Sequence, residues 1–488
     1  MSLSSALSTA QSIFNNTGIQ SGVASKNIAN AQNANYVRRS AVLTTGGNGS
    51  LVVAIERSQN QALYRQTIES SSLFSGQQVL LSGLEEVKSL MGGNDYETSP
   101  SMIISNLRNN LQTWASKPSE TTVGATVVST AVDLANSLNT ASDQLQAIRK
   151  RADDDIKQGV EELNKLLAQF EVANNRVKQE TAVGANPNDA LDERETLLKQ
   201  IAEIVGVTTL TRENNDMVLY TTEGTVLFET VPRSVTFTPT VAYGATTTGN
   251  GVYVDGVAVK AGVGAETSAK GSLQALLQLR DDIIPVYQSH LDEVARGLIV
   301  AFAETDQTVV PPASAVLAPG LFTWDLGTVP ASGTVEPGLA NRIKVNPAVI
   351  PPSGDPMLVR DGGINGANYV VNPDKSTGFS DLLNQYDDAF EVKIDFADST
   401  QIGGKLDLQS FAADSIGWLE MLRSTATSAT ENKLAMYSRA TDAYSSETGV
   451  SLDEELSLLL DIEQSYKAAA KLMATVDSMM QALLEAAS

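Results

Sequence analysis

The chain has 488 residues, with 34 Lys and Arg against 57 Asp and Glu, a formal charge of −23, one His and no Cys. That composition excludes disulfide scaffolds, thiolate metal centres, iron–sulfur clusters and cysteine nucleophiles, and a single His cannot build a multi-histidine metal site. The acid excess argues against nucleic-acid binding, which is driven by phosphate neutralisation, and the 42% hydrophobic fraction suits a folded chain of roughly three domains. The longest apolar run, Gly297 to Ala303, falls far short of the ~20 residues that cross a bilayer, so no membrane span is expected. No Lys or Arg precedes Lys26 and there is no apolar h-region, which predicts the absence of a Sec-type signal peptide.

At the N-terminus, Leu3, Leu7, Ala10, Phe14, Thr17, Ser21, Ala24 and Ile28 recur at alternating spacings of four and three, a heptad seam. The helix it predicts, from about residue 2 to 30, would be roughly 43 Å long. Gly18 and Gly22 lie inside it, each costing about 1 kcal/mol relative to Ala, so it is expected to be weak alone. A three/four pattern continues through Leu73, Leu80, Leu84, Val87 and Met91. From Thr130 to Thr181 there is no Pro and only Gly159, and Leu145, Ile148, Ala152, Ile156, Val160, Leu163, Leu167, Phe170, Ala173 and Val177 trace one long stripe. Asn186-Pro187-Asn188 followed by Asp189, Asp192, Glu193 and Glu195 reads as a helix start with acidic first turns rather than as a metal cluster.

Further helices are expected at Ser272–Glu304 and Leu408–Tyr444. Between them, 207–270 and 308–397 hold most of the chain's 16 prolines, clustered Gly and Thr, and short β-branched runs such as Met217–Tyr220, Thr225–Phe228 and Val252–Val254. At the C-terminus Ser451 and Glu454 form a capping-box pattern, with Asp453, Glu454 and Glu455 at the positive end of the dipole. Beyond it Leu452, Leu459, Ile462, Tyr466, Ala469, Met473, Val476, Met480 and Leu483 follow a heptad in which Glu455 is the polar intrusion. The fold class expected is mainly α with β-rich inserts, an elongated multidomain rod. Residues 1–50 with 447–488 would pair as a coiled-coil-like inner domain, 51–206 with 271–307 and 400–446 would form a long-helix middle domain, and 207–270 and 308–399 would form outward β-rich inserts.

No constellation for catalysis stands out. His290 lies on a helix with no G-x-S-x-G elbow around any Ser, and reads as a structural residue. Asp153-Asp154-Asp155 is followed by Lys157 and Gln158 where a calcium loop needs an acid and a Gly. Asp361-Gly362-Gly363-Ile364-Asn365-Gly366 lacks a following helix and a P-loop Lys, so a turn is expected, not a phosphate cradle. Arg38-Arg39 and Arg149-Lys150-Arg151 are read as solvated faces or inter-subunit contacts.

Ala24 to Ser40, ASKNIANAQNANYVRRS, resembles the N-terminal signature of the bacterial flagellar axial (rod, hook and hook-associated) family, with Asn27, Ile28, Ala29, Asn30 and Tyr36 matching. Lys26 stands where that signature has Asn, and Gln32-Asn33-Ala34-Asn35 replaces its Pro-Gly turn. TGVSLDEELS (Thr448 to Ser457) and the DIEQSYKAAAKLMATVDSMMQALL that follows are similar to the family's shared C-terminus. LQTWASKPSE (Leu111 to Glu120), NPNDALDERETLLKQIAEIVGV (Asn186 to Val207) and GSLQALLQLRDDIIPVYQSHLDEVARGL (Gly271 to Leu298) resemble the hook-associated protein 1 family of first junction proteins. Ala303-Glu304-Thr305-Asp306 departs from that family's Asn-x-x-His segment.

The resemblance implies a non-enzymatic building block without cofactors, exported unfolded through the flagellar type III apparatus without cleavage. It would form a homo-oligomeric ring outside the cell, with hook protein below and a second junction protein or flagellin above. It also implies a cytoplasmic export chaperone on the C-terminal helix, with Leu459, Ile462, Tyr466, Met473, Val476 and Met480 as anchors in a helix-in-groove mode. The expected assembly face comprises Leu3, Leu7, Ala10, Phe14, Ala24, Asn27, Ile28 and Asn30 at one end and Leu452, Leu459, Ile462, Tyr466, Met473, Val476, Met480 and Leu483 at the other. A flagellin, a hook protein or an exported acidic cell-wall hydrolase are the alternative readings.

Overall fold

The helical spacings set most of the architecture. The computed structural model describes residues 3–45, 51–93, 96, 98–309 and 316–487. In chain order, α1 (Leu3–Ala29) leads to a hairpin of β1 (Arg39–Thr45) and β2 (Leu51–Arg57), then α2 (Gln61–Leu90), α3 (Pro100–Ser116), α4 (Thr121–Ala182) and α5 (Asn188–Ile204). β3 (Val207–Thr211), β4 (Met217–Thr221) and β5 (Val226–Phe228) make an antiparallel sheet, as do β6 (Val235–Thr236), β7 (Tyr253–Val254) and β8 (Val257–Ala258). After α6 (Ser272–Gln278) and α7 (Ile284–Ala301) come β9 (Phe322–Thr323), α8 (Leu339–Arg342), β10 (Lys344–Val345), α9 (Met357–Asp361), α10 (Asp381–Ala389), β11 (Ile394–Phe396) and β12 (Gly404–Leu406). The long helices α11 (Leu408–Thr448) and α12 (Leu452–Ala487) close the chain.

Two expectations change. The helix through His290 is interrupted by a π turn at Leu279–Ile283. Pro285 has no N–H for the carbonyl four residues back, and a widened turn relieves the clash its ring would make there. The second insert carries little strand: β9 pairs with β10 over two residues and β11 with β12 over three, and the remainder of its described residues is turns, loops and short helices. Its Pro and Gly remove ladder donors and favour turns.

The chain divides into two compact units. The first takes Met1–Phe74, Glu162–Ser234 and Asn432–Ser488. Its interior joins Leu163, Leu167, Phe170 and Val177 of α4 to Leu197, Leu198 and Ile201 of α5 and to β4 and β5, with Phe170 edge-on to Phe228 at 5.2 Å. The second takes Ser75–Glu161 and Val235–Glu431. Here one continuous core runs from Leu80, Leu84 and Val87 of α2 through Ile104, Leu107, Leu111 and Trp114 of α3 and Leu134, Leu138 and Leu145 of α4 to Leu291, Val294 and Leu298 of α7. Gly124 is required where α3 meets α4, since a Cβ there would sit 2.6 Å from the Trp114 ring. The whole stripe expected from Leu145 to Val177 is buried.

The second unit also answers the motifs singled out above. Asp153 is fully buried; its Oδ1 accepts from Arg280 Nη1 and the Tyr243 hydroxyl, both at 2.7 Å, and its Oδ2 from the Thr240 N–H at 2.8 Å. The Gly-rich stretch is a turn that does cradle an anion, but one of its own chain. The amides of Gly363, Ile364 and Asn365 donate to the Glu304 carboxylate at 2.9, 3.0 and 2.9 Å. Arg149, expected on a solvated face, is buried and donates to the carbonyls of Arg280, Gly244 and Thr247. Arg151 pairs with Glu86.

His290 has both ring nitrogens engaged, Nδ1 with Ser415 Oγ at 3.0 Å and Nε2 with the Thr400 carbonyl at 2.6 Å, among Tyr287, Phe411 and Trp418. Burial pushes its pKa down to about 4 from 6.5. Two residues on, burial pushes Asp292 up to about 6 from 3.8, although its carboxylate accepts from the N–H groups of Gly338 and Ala340 that open α8.

The two groups oppose each other. Below pH 6.5 the unfolded chain protonates its His while the fold resists until about 4, so His290 withdraws stability as pH falls. Asp292 takes its proton in the fold from about pH 6 but in the unfolded chain only near 3.8; its contribution is complete at low pH and lost as pH rises through 6. Each is worth on the order of 3 kcal/mol across its window. Urea unfolding at pH 7, 5.5 and 4.5 is expected to show His290→Gln gaining on wild type as pH falls and Asp292→Asn losing ground. A pH-independent difference for either variant contradicts its assignment.

Candidate functional site

The two termini meet around one buried amide. Asn27, in the last turn of α1, donates from Nδ2 to the Arg39 carbonyl at 2.8 Å, and its Oδ1 accepts from the Arg39 N–H at 3.1 Å and the Tyr36 hydroxyl at 2.8 Å. The side chain thus pairs with the first residue of β1 as a neighbouring strand would. Asn33 Oδ1 accepts from the Asn35 N–H at 3.1 Å, an Asx turn, so Gln32–Asn35 reverses the chain without Pro-Gly. Asn30 Nδ2 donates to the Lys26 carbonyl at 2.9 Å, satisfying an acceptor at the helix end.

This turn aims three arginines. The Arg38 N–H donates to the Thr448 carbonyl at 2.8 Å, and its Nε donates to Glu455 Oε1 at 2.7 Å. Glu455 is 1% exposed, so the polar intrusion in the C-terminal heptad is an ion pair with the signature turn. Arg39 and Arg57 face each other across β1 and β2, a like-charged pair that would repel. Carboxylates of α5 resolve it: Arg39 Nη2 lies 2.6 Å from Asp189 and 2.9 Å from Asp192, Arg57 Nε 2.8 Å from Asp192, and Arg57 Nη1 and Nη2 grip Glu195 at 2.7 and 2.5 Å. Burial works against the Arg57 charge, yet the hydrogen bonds and charge of Glu195 outweigh it and raise its pKa. Burial raises Asp192, against the pull of Arg57 and Arg39. Arg38 and Arg39 are therefore held within the chain, correcting the expectation of solvent or inter-subunit contacts. The acidic run does begin a helix, but its role as a counter-charge for a hairpin 135 residues away left no local signal.

α1 packs on α12 with opposite chain direction. Phe14 meets Tyr466 edge-on at 4.9 Å, while Gly18 and Ser21 border Leu456 and Leu459. Burial follows a seven-residue period on both helices: Ala10, Thr17 and Ala24 on α1, and Glu455, Ile462, Ala469 and Val476 on α12. The other expected positions are less covered. Leu7, Phe14, Ile28, Leu459 and Met473 are half-buried, and Leu452, Tyr466 and Met480 are exposed; Leu3 and Leu483 carry side chains outside the described residues. Sequence reasoning missed Leu456, Leu460, Leu472, Met479 and Leu484, all exposed on α12, because they lie off the seam. Thr17, Gly18 and Ser21 with Leu456, Leu459, Leu460, Ile462 and Tyr466 line an open groove of about 700 Å³. Ser451 Oγ faces the Glu454 N–H at 3.4 Å, the cap expected for α12.

Asn27→Ala leaves three polar groups of the turn without their partner and is expected to lower stability by about 2 to 3 kcal/mol in urea titrations, with Tyr36→Phe costing about 1 kcal/mol. Wild-type midpoints in both variants would mean the bracket contributes nothing.

Two protein families match this chain. Residues 84–309 match the flagellar hook-associated protein FlgK helical domain, and 442–486 match the flagellar basal body rod FlgEFG protein C-terminal family. Flagellar hook-associated protein 1 of Salmonella typhimurium is 25% identical over 313 residues, which is 62% of this chain and 56% of that protein. The chain thus aligns with little more than half the length of this relative. The Bacillus subtilis protein of the same name is 22% identical over 502 residues, covering 94% of this chain and 93% of its own. The solved flagellar hook junction protein FlgK of Burkholderia pseudomallei shares the fold, with a TM-score of 0.55 at 11% identity over 78% of this chain and 99% of that one. A helical-domain match, a terminal match and a shared fold agree in supporting a FlgK-type flagellar hook-associated protein.

Proposed function

We propose that the chain is a structural subunit, not an enzyme, that joins the flagellar hook to the filament outside the cell. The names of its relatives support the setting. The observation that carries the mechanism is the uncovered apolar surface of α12, where Leu456, Leu460 and Leu484 are 52%, 61% and 70% exposed although Ile462, Ala469 and Val476 of the same helix are buried. Exposed leucines of this size on a charged protein call for a cover. Neighbouring copies in a ring supply it, with hook protein below and a second junction protein or flagellin above. The coiled-coil-like terminal pair lines the inner layer, the long helices the middle and the inserts the outside.

Before assembly the chain travels unfolded through the type III apparatus, and a cytoplasmic chaperone shields the same C-terminal face, which makes chaperone binding and incorporation mutually exclusive. Gly18 and Gly22 fit this reading, since a Cβ at either meets nothing within 4 Å in the chain. They weaken α1 in isolation by about 1 kcal/mol each, and the ordering cost is recovered when subunits pack.

Deleting the gene is expected to leave hooks without filaments and flagellin in the medium, scored by electron microscopy and immunoblot; intact filaments overturn the reading. Leu460→Asp is expected to keep the wild-type unfolding midpoint while abolishing incorporation and weakening chaperone binding. Ile462→Asp, whose side chain is buried against α1, should instead cost about 3 kcal/mol or more. Normal filaments from Leu460→Asp would remove α12 from the interface.

A further inference from the structure

α5 carries a second basic site that the ion network does not absorb. Arg194 is 4% exposed, and its Nη1 donates to Asn174 Oδ1 at 2.8 Å and to the Asn215 carbonyl at 2.5 Å. Its Nε is buried without a hydrogen bond, and among the described residues no carboxylate forms an ion pair with this guanidinium. No hydrogen bond fills the Nε side of the guanidinium, the side that carries a carboxylate in a bidentate pair.

In four other arginines that edge is filled. Arg280 holds both oxygens of Asp281 at 2.9 and 2.7 Å, and Arg360 holds Asp361 at 2.7 and 2.9 Å. Arg296 uses the same edge on Glu293, and Arg423 on Glu420. Arg149 also lacks a carboxylate, but it spreads its donors over four acceptors. Arg194 is left with a desolvated charge, and burial pushes its pKa down to about 10.

Arg194 lines a cavity of about 250 Å³ together with Arg57, Arg65, Asn60 and Thr211. Glu195 is the acidic residue in this lining, and Arg57 already grips both its oxygens. The Arg65 guanidinium donates from Nε to the Gln61 carbonyl at 3.3 Å. The cavity is therefore cationic in a chain whose formal charge is −23. Its size admits one acidic side chain but not a helix. An assembly of identical acidic subunits offers such side chains at high local concentration, each repelled by the rest of its neighbour's surface.

We propose that this cavity binds a carboxylate, supplied in the assembled state by an Asp or Glu of a second copy of this chain. The identity of the donor rests on the self-assembly reading above, whereas the carboxylate site does not. On the isolated full-length protein, sodium acetate is expected to raise the thermal midpoint by about 1 to 2 °C over sodium chloride of equal ionic strength. Arg194→Met should remove that shift, and Arg65→Gln, which leaves the bonds to Asn174 and Asn215 in place, should reduce it. No acetate shift in wild type, or an equal shift in Arg194→Met and Arg65→Gln, overturns the site.

In flagellated cells, a benzophenone amino acid replacing Thr211, which is exposed at the cavity, should cross-link to a second copy of this chain. The product should disappear on adding Arg194→Met. A cross-link only to another protein, or none, overturns the assigned donor. If the gene deletion leaves filaments intact while acetate still stabilises the wild type, the junction reading fails and the carboxylate site stands.

Discussion

The arrangement of the terminal unit depends on one buried side-chain amide. Asn27 must hold its three polar partners, since leaving the Arg39 N–H and carbonyl unpaired in the interior costs more than any single apolar contact nearby. Holding them fixes where β1 begins. That start places Arg38 over Glu455 and sets Arg39 opposite Arg57, and the two facing cations in turn demand the carboxylates of α5. A neutral amide at the end of one helix thereby positions charges on three other elements.

The Arg38–Glu455 pair has a second consequence. Glu455 occupies the first buried heptad layer of α12, where an apolar residue would pack more favourably. Its partner comes from the turn that follows α1, so a slip of α12 by a heptad would bury the carboxylate without its guanidinium. Removing one partner from a buried pair is far more costly than replacing both, which gives the pairing of the two ends a defined register. Small residues opposite it, Ala10, Thr17 and Ala24, let the helices approach but contribute little area, so one face of α12 is covered and its remaining long side chains are not. Order within the chain and incompleteness of its surface are products of the same residue choice.

The second unit uses buried polarity differently. Asp153 on Thr240 and Tyr243, and Asp292 at the start of α8, each tie a loop of an insert to a core helix, and Glu304, just past α7, holds the amides of Gly363–Asn365. These inserts have too little regular structure to cross-brace themselves, and satisfied buried carboxylates replace the ladders that Pro and Gly forbid. His290, the residue that invited a catalytic reading, belongs to the same system of internal ties.

Periodicity in the sequence determined the long helices, since a stripe such as Leu145 to Val177 or the heptad from Ile462 to Val476 is carried by residues close enough to report on one another. The signature around Asn27 and the C-terminal segment likewise carry the family resemblance in residues that are neighbours along the chain. What the sequence could not carry was pairing across distance. Nothing local marks Asp192 and Glu195 as partners of Arg39 and Arg57, or Glu304 as the occupant of a glycine turn nearly 60 residues on, and Arg194 shows its unbonded Nε only once its neighbours are in place. Helices answer to spacing along the chain, whereas a buried charge answers to whatever the tertiary fold brings within a few ångströms, and that only the tertiary structure decided.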